Sequence, residues 1–207
     1  MDIVVAIFSL IILLFSVIIH ELAHGSVAFS LGDPTAKYEK RLTLNPLRHL
    51  DPFGSVILPL LLFISGSAVL VGWAKPVPIN PYNFRDQKWG AFKVAIAGPL
   101  SNIALALFFG LAIRGIPYDV FLQVPGLFLI FSFIVRINLM LAIFNLVPIP
   151  PLDGSWMLFK LLPDSLEWVK TFLQQYGIYI LIFLLFFGGL YGVNSIAEYF
   201  FRLFTGI

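Results

Sequence analysis

The sequence predicts a polytopic α-helical membrane protein, and three observations carry this prediction. Of its 207 residues, 59% are hydrophobic and only 12% are charged, whereas soluble domains contain roughly 45–50% apolar residues. Long stretches without charge recur along the chain. One of them carries histidine and glutamate at membrane depth, where such groups are costly and rare. We expect one domain over residues 1–207, with about four transmembrane helices, a re-entrant membrane segment and short membrane-associated β-strands.

The composition also excludes several classes of protein and site. The chain contains no cysteine, so it has neither disulfides nor thiolate metal ligands, and any metal must be held by histidine and carboxylate. A net charge of +2 is too small to indicate a nucleic-acid partner. The apolar N-terminal run lacks a basic leader and is too long for a signal peptide, so we expect it to be retained.

Residues 3–31 form the first predicted span, which Gly32-Asp33-Pro34 ends. In a helix, His20 and His24 are separated by ~6 Å along the axis and ~40° around it, so both imidazoles point the same way. A divalent metal can take one nitrogen from each ring. Glu21 then lies close to a water on that metal and could take its proton, as in zinc hydrolases.

The following segments alternate between the membrane and its surface. Residues 36–44 alternate in side-chain character and predict a short surface strand. Residues 53–73 are apolar but broken by glycine and proline, which makes them a poor straight helix. Residues 74–80 contain prolines that forbid a helix and favour an extended edge strand or a loop.

The rest of the chain supplies the other predicted spans, residues 91–113, 127–147 and 172–193. Three prolines after residue 147 break the third span just before Leu152-Asp153-Gly154. Residues 155–171 are expected at the membrane interface, and residues 194–207 form an aromatic amphipathic tail.

A zinc hydrolase needs a third protein ligand and an open position for water. The candidates are Asp153 and His49. Asp153 is favoured because broken helices at membrane depth are tolerated where they line a site. Asp153 could instead belong to a turn or cap the next helix. His49 lies in a polar loop, where a solvated or hydrogen-bonded imidazole is the usual finding.

Three asparagines lie inside the predicted spans. Asn102, Asn138 and Asn145 could hydrogen-bond an extended substrate or could join helices to one another, at ~0.6–2 kcal/mol each. The helix-joining interpretation is favoured for Asn138. Both interpretations stay open for Asn145, which lies beside the proline break.

These motifs resemble those of the site-2 proteases, a family of zinc-dependent intramembrane metalloproteases. His20-Glu21-x-x-His24 matches the first motif of the family. The run from Asn145 to Gly154 matches the second, N-x-x-P-x-P-x-L-D-G. Gly98-Pro99-x-x-Asn102 is similar to a third signature, and His49 lies in a pattern that resembles a short-chain subgroup. We therefore expect the short form of the family, without the PDZ or CBS domains that some members carry.

The resemblance implies a role for each matching residue. His20, His24 and Asp153 would hold one Zn²⁺ per chain, and Glu21 would be the catalytic base. The substrate would be a transmembrane helix of another membrane protein, cleaved after local unwinding. We add Asn102, Asn145 and His49 as candidate substrate-binding residues, and residues 36–44 and 74–80 as edges for strand addition.

Charge predicts the orientation of the chain. If residues 53–73 re-enter, ten of the 13 lysines and arginines lie on the side of the metal motif. Only Arg114 and Arg202 then lie on the other side, and Arg136 is inside the membrane. This bias puts the active-site side in the cytoplasm, with the protein in the plasma membrane.

A different class, a metal-binding transporter or non-catalytic scaffold, is the alternative. A transporter is expected to show internal repeats and polar groups staggered across the bilayer. The chain shows no repeat, and its polar groups converge near one depth.

Overall fold

The computed structural model describes residues 3–66 and 74–207. The α-helices in these residues are α1 (Ile3–Ser30), α2 (Thr35–Tyr38), α3 (Leu58–Ile64), α4 (Gly90–Gly115), α5 (Tyr118–Gln123), α6 (Pro125–Asn145), α7 (Asp153–Leu161), α8 (Glu167–Phe186) and α9 (Gly189–Thr205). Short 3₁₀ turns lie at Pro46–Arg48, Pro81–Asn83 and Asp164–Leu166, and a π-helical turn lies at Pro52–Ile57.

Within the described residues, four helical segments are long and apolar enough to cross a bilayer: Ile3–Ser30, Gly90–Gly115, Gly126–Asn145 and Asp164–Phe186. The chain is therefore a multi-pass helical membrane protein. The last of these differs from the predicted span 172–193, because Gly188 takes a left-handed conformation (φ 99°) between α8 and α9. A left-handed residue ends a helix, and glycine adopts that conformation without steric cost.

Helix α4 is the centre of the bundle and packs against α1, α6, α7 and α9. The C-terminal half of α4 shares one buried apolar cluster with α6 and α9. The cluster is made of Ala106, Ile113, Val135, Leu139, Ala197 and Phe201. The N-terminal half of α4 faces the C-terminal part of α1, since His24 bonds to the Val94 carbonyl. Helix α4 therefore runs opposite to α1.

Arg136 lies halfway along α6, as the sequence indicated, and its partner is on α9. Its guanidinium pairs with Glu198 and lies 3.8 Å from the centre of the Phe201 ring. An ion pair and a cation–π contact together offset part of the cost of a charge at this depth.

The strand predicted over residues 36–44 is wrong. The chain forms α2 there, followed by turns in which Lys40 has a φ of 54°. Asp33 stabilises the start of α2 by accepting from the Thr35 amide at 3.1 Å. Inward-facing Arg41, rather than a strand, accounts for part of the polar alternation. Residues 74–80 are an extended loop, and no β-strand occurs in residues 3–66 or 74–207.

The apolar segment predicted over 53–73 is described only as far as residue 66, and residues 67–73 lie outside the described part. The π-helical turn leads directly into α3, which ends at Ile64. The two ends of the segment come together, because the Lys75 amide donates to the His49 carbonyl oxygen at 2.8 Å.

Candidate active site

The two histidines of α1 face each other as their spacing predicts. His20 and His24 are 6% and 5% exposed, and their Nε2 atoms are 3.0 Å apart. Four residues on a helix place the rings on one face, one above the other. The α-helix alone therefore builds half of this site.

Each ring is held by its other nitrogen. His20 Nδ1 donates to Asn102 Oδ1 at 2.6 Å, and His24 Nδ1 donates to the Val94 carbonyl oxygen at 2.7 Å. Both acceptors are on α4. Because an imidazole with its proton on Nδ1 has a lone pair on Nε2, both Nε2 atoms are available as metal ligands.

Asp153, the first residue of α7, completes the group. Its Oδ2 lies 3.1 Å from His20 Nε2 and 3.2 Å from His24 Nε2. With Nδ1 carrying the proton on both rings, three lone-pair atoms face one another with no hydrogen between them. A cation is the natural partner of such a group.

The spacing also fits the metal that the sequence predicts. Ligand atoms at 2.0–2.1 Å from a tetrahedral zinc are about 3.3 Å from one another, close to the 3.0–3.2 Å observed. Among the described residues, these three form the one His and carboxylate group tight enough to hold a metal.

Two glycines allow the helices to converge on the group. A Cβ at Gly98 of α4 would lie 2.6 Å from His20 Nε2. A Cβ at Gly154 would lie 2.6 Å from the Val147 carbonyl oxygen, so only glycine lets α7 begin against the end of α6. The proline-rich turn between those helices then directs Asp153 back to α1.

A buried polar network supports His20 from behind. The Asn102 Nδ2 donates to Asn138 Oδ1 at 2.8 Å, and the Asn138 Nδ2 donates to Ser16 Oγ at 3.0 Å. Both asparagines are fully buried. Asn102 therefore contacts a predicted ligand from behind, while Asn138 joins α6 to α1 and α4.

Glu21 lies beside the group, in a cavity of about 320 Å³. Its Oε2 accepts a hydrogen bond from the Val77 amide at 2.7 Å. The same cavity is lined by Asn145 and Trp156. The Asn145 Nδ2 donates to the Leu141 carbonyl oxygen at 3.0 Å within its own helix.

His49 is not brought to this cavity. Its side chain is fully buried, and its Nε2 donates to the Thr43 carbonyl oxygen at 2.8 Å. The contact fastens the polar loop after α2. Of the two residues considered as third ligand, the structure thus brings Asp153 to the histidines and leaves His49 elsewhere.

Sequence reasoning missed two groups near the site, the Val77 amide and Arg41. Arg41 is 5% exposed and donates to the Lys75 carbonyl oxygen at 2.5 Å. A backbone amide leaves no signal in side-chain chemistry. Arg41 has the signal of any arginine in a polar loop, and only its burial distinguishes it.

A helical membrane bundle with two histidines, an aspartate and a glutamate at one cavity has the architecture of a membrane metalloenzyme. Comparison with known proteins agrees with this class. The family profile described as Peptidase family M50 matches residues 119–188. No solved structure matches the chain significantly.

The curated relatives carry the assignment further. The chain is 38% identical to the Bacillus subtilis protein named "Putative zinc metalloprotease YwhC" over 84% of this chain and 77% of that protein. It is 30% identical to the Mycolicibacterium smegmatis protein named "Putative zinc metalloprotease Rip2", over 83% of this chain and 64% of that protein. The chain belongs to peptidase family M50, the site-2 proteases, which confirms the resemblance found in its motifs.

Proposed function

We propose that this protein is a zinc-dependent endopeptidase that cleaves transmembrane segments of other membrane proteins. The observation that carries the proposal is the arrangement of three lone-pair atoms, from His20, His24 and Asp153, beside the carboxylate of Glu21 in one cavity. Family membership supports the same activity, and the curated relatives are named as zinc metalloproteases.

His20, His24 and Asp153 would hold one zinc ion per chain. Two neutral imidazoles and one carboxylate are a ligand set that suits zinc, and three protein ligands leave the open position that a catalytic site requires. When bound, zinc lowers the pKa of a coordinated water to about 7 and polarises a carbonyl group.

Glu21 would serve as the general base. It follows His20 directly on α1, so its carboxylate lies at the edge of the metal group and inside the cavity. In this role it takes the proton of the attacking water and passes it to the leaving amine of the cleaved peptide bond.

The substrate would bind as an extended chain, because a helix hides the peptide bonds that must be attacked. Asn145 lines the cavity on the side of α6 and is the candidate for hydrogen bonding to the substrate backbone. The extended loop 74–80 borders the same cavity. Asn102 is assigned a role in supporting His20 rather than in binding substrate, because its side chain contacts His20 and does not line the cavity.

The test of the proposal separates metal binding from turnover. We expect the purified protein to contain one zinc per chain, and alanine at His20, His24 or Asp153 to weaken zinc binding. Glu21→Gln should keep the zinc and lose peptide-bond cleavage, because glutamine cannot accept the proton. Comparing membrane proteomes of cells carrying wild type and Glu21→Gln should reveal single-span proteins that accumulate only with the variant.

Other results would contradict the proposal. Zinc binding that survives Asp153→Ala but is lost in His49→Ala would show that the third ligand is misassigned. A transporter or scaffold would keep its function in Glu21→Gln, and no membrane protein would accumulate.

In the proposed topology, the protein lies in the plasma membrane with its active-site side facing the cytoplasm. Residues 53–73 enter and leave the membrane on that side. The bond between Lys75 and His49 supports this, because a segment whose ends touch cannot have crossed the bilayer once. The excess of positive charge on that side agrees with it.

Cysteine labelling tests the topology in this cysteine-free chain. Glu39 precedes the segment in the chain and Lys88 follows it, and both are exposed. Ile207 is exposed beyond the far end of α4. Single cysteines at the first two positions should react with a membrane-impermeant reagent only from the cytoplasm, and a cysteine at Ile207 only from outside. Reaction of Glu39→Cys and Lys88→Cys from opposite sides would refute the re-entrant segment.

A further inference from the structure

Arg41 is a buried arginine that faces backbone rather than an acid. It is 5% exposed, and its Nη2 donates to the carbonyl oxygens of Lys75 at 2.5 Å and Pro76 at 3.2 Å. No ion pair to Arg41 occurs among the described residues. Burying an arginine is costly, and a buried charge is normally paired with an opposite charge. Arg41 instead binds two consecutive carbonyl oxygens, so the contact holds one piece of backbone in place.

That piece of backbone is the loop 74–80, which is fastened at both ends. At its start, the Lys75 amide donates to the His49 carbonyl oxygen at 2.8 Å. At its end, the Asn80 amide donates to Asp33 Oδ2 at 2.8 Å. Arg41 adds its two bonds immediately before the middle of the loop. The middle is thus held in one position relative to α1.

The middle of the loop carries one amide hydrogen, and that hydrogen is bonded to Glu21. Pro76 and Pro78 have no N–H, so Val77 provides the one amide donor between them. It donates to Glu21 Oε2 at 2.7 Å. Gly25, one turn after Glu21, lets the loop approach this closely, because a Cβ there would lie 2.9 Å from Val77 Cγ1.

We propose that Arg41 is a positioning residue for Glu21 and acts through the Val77 amide. A free glutamate side chain on a helix surface samples several rotamers. The bond from Val77 holds one carboxylate oxygen and leaves the other to meet the water, and catalytic groups require this kind of restraint to within about 0.5 Å. The inference rests on the proposed function and adds a residue that no sequence motif contains.

The experiment measures kcat, KM, zinc content and thermal midpoint for each variant. The substrate probe is a dye-labelled transmembrane segment, in detergent, of a single-span protein that accumulates with Glu21→Gln. Arg41→Ala should lower kcat by about 10- to 100-fold, the scale of a 1 Å misplacement. KM should stay within about twofold and zinc content should not change, because Arg41 contacts neither the cavity nor the ligands. Arg41→Lys, which keeps a charged donor, should recover part of the loss.

Arg48→Ala is the matched control, since Arg48 is an exposed arginine in the neighbouring loop and its removal changes the net charge equally. It should match wild type. Val77→Pro removes the amide hydrogen of residue 77. Val77→Ala removes most of the side chain but keeps that amide hydrogen. We expect kcat of Val77→Pro to fall at least tenfold below that of Val77→Ala, with zinc retained in both.

Two different failures can be told apart. If no single-span protein accumulates with Glu21→Gln, or the zinc-loaded wild type does not cleave the labelled segment, the proposed function fails and the inference fails with it. If the wild type cleaves the labelled segment and Glu21→Gln does not, an unchanged kcat in Arg41→Ala overturns the inference alone. Should Arg41→Ala lose zinc or unfold, the Val77 pair decides: equal kcat values for Val77→Pro and Val77→Ala overturn the inference.

Discussion

Gly98 faces the two histidines so closely that even alanine does not fit. A Cβ built there would overlap His24 Nε2 and lie 2.6 Å from His20 Nε2, whereas non-bonded heavy atoms settle at about 3.5–4.0 Å. A gap of about 1 Å must open, either between α1 and α4 or by rotation of an imidazole away from the metal group. Overpacking of this kind costs about 1–3 kcal/mol. If this overpacking displaces the imidazole ligands, the same free energy weakens zinc binding by about 5- to 150-fold.

The assay is competition for zinc between the purified protein and a chelating dye at fixed pH, with two controls on the same helix. Gly115→Ala introduces a Cβ with nothing within 4 Å and should bind zinc as wild type does. Gly110→Ala brings its Cβ within 2.7 Å of Phe204 Cβ, so it should lower the thermal midpoint without changing zinc affinity. Wild-type zinc affinity in Gly98→Ala would refute the reasoning.

Two further predictions concern the groups around the site. Asn102→Leu should weaken zinc binding by about 10- to 100-fold, because His20 loses the acceptor that orients its ring; unchanged affinity in the dye competition would show that the ring needs no such support. Burial raises the pKa of Asp33, but hydrogen bonds from Thr35, Asn80 and Asn83 outweigh it and hold the pKa below its usual value. Its contribution to stability is therefore full above pH ~4 and is lost as the pH falls through the lowered value. Between pH 5 and pH 3, the thermal midpoint of Asp33→Asn should fall less than that of wild type, and equal losses would contradict this assignment.

Local geometry explains why so much of the site was predictable. The spacing of His20 and His24 is a property of one helix turn, and the helix itself follows from a long run of apolar residues. Glycine and proline mark where helices end, so the turn before Asp153 was also visible. These features need no knowledge of the rest of the chain.

Regular alternation of side chains predicts a strand, but a strand also needs a neighbouring strand to pair with. Residues 36–44 have a strand-like pattern, yet Asp33 binds the Thr35 amide and starts a helix. A strand is stabilised by its neighbour, and no neighbouring strand is present in the described residues on either side of the gap at 67–73. Composition could not report that absence.

The sequence by itself determined the membrane class, the first three transmembrane helices and the two histidines with their glutamate, because each depends on residues close together in the chain. Only the tertiary structure decided that Asp153 meets His24, 129 residues away in sequence, together with His20, that Asn102 holds His20, and that Val77 contacts Glu21. These contacts depend on how closely the helices approach. That approach is set by the space that Gly98, Gly154 and Gly25 leave empty, and by backbone groups whose partners are chosen only when the chain is packed.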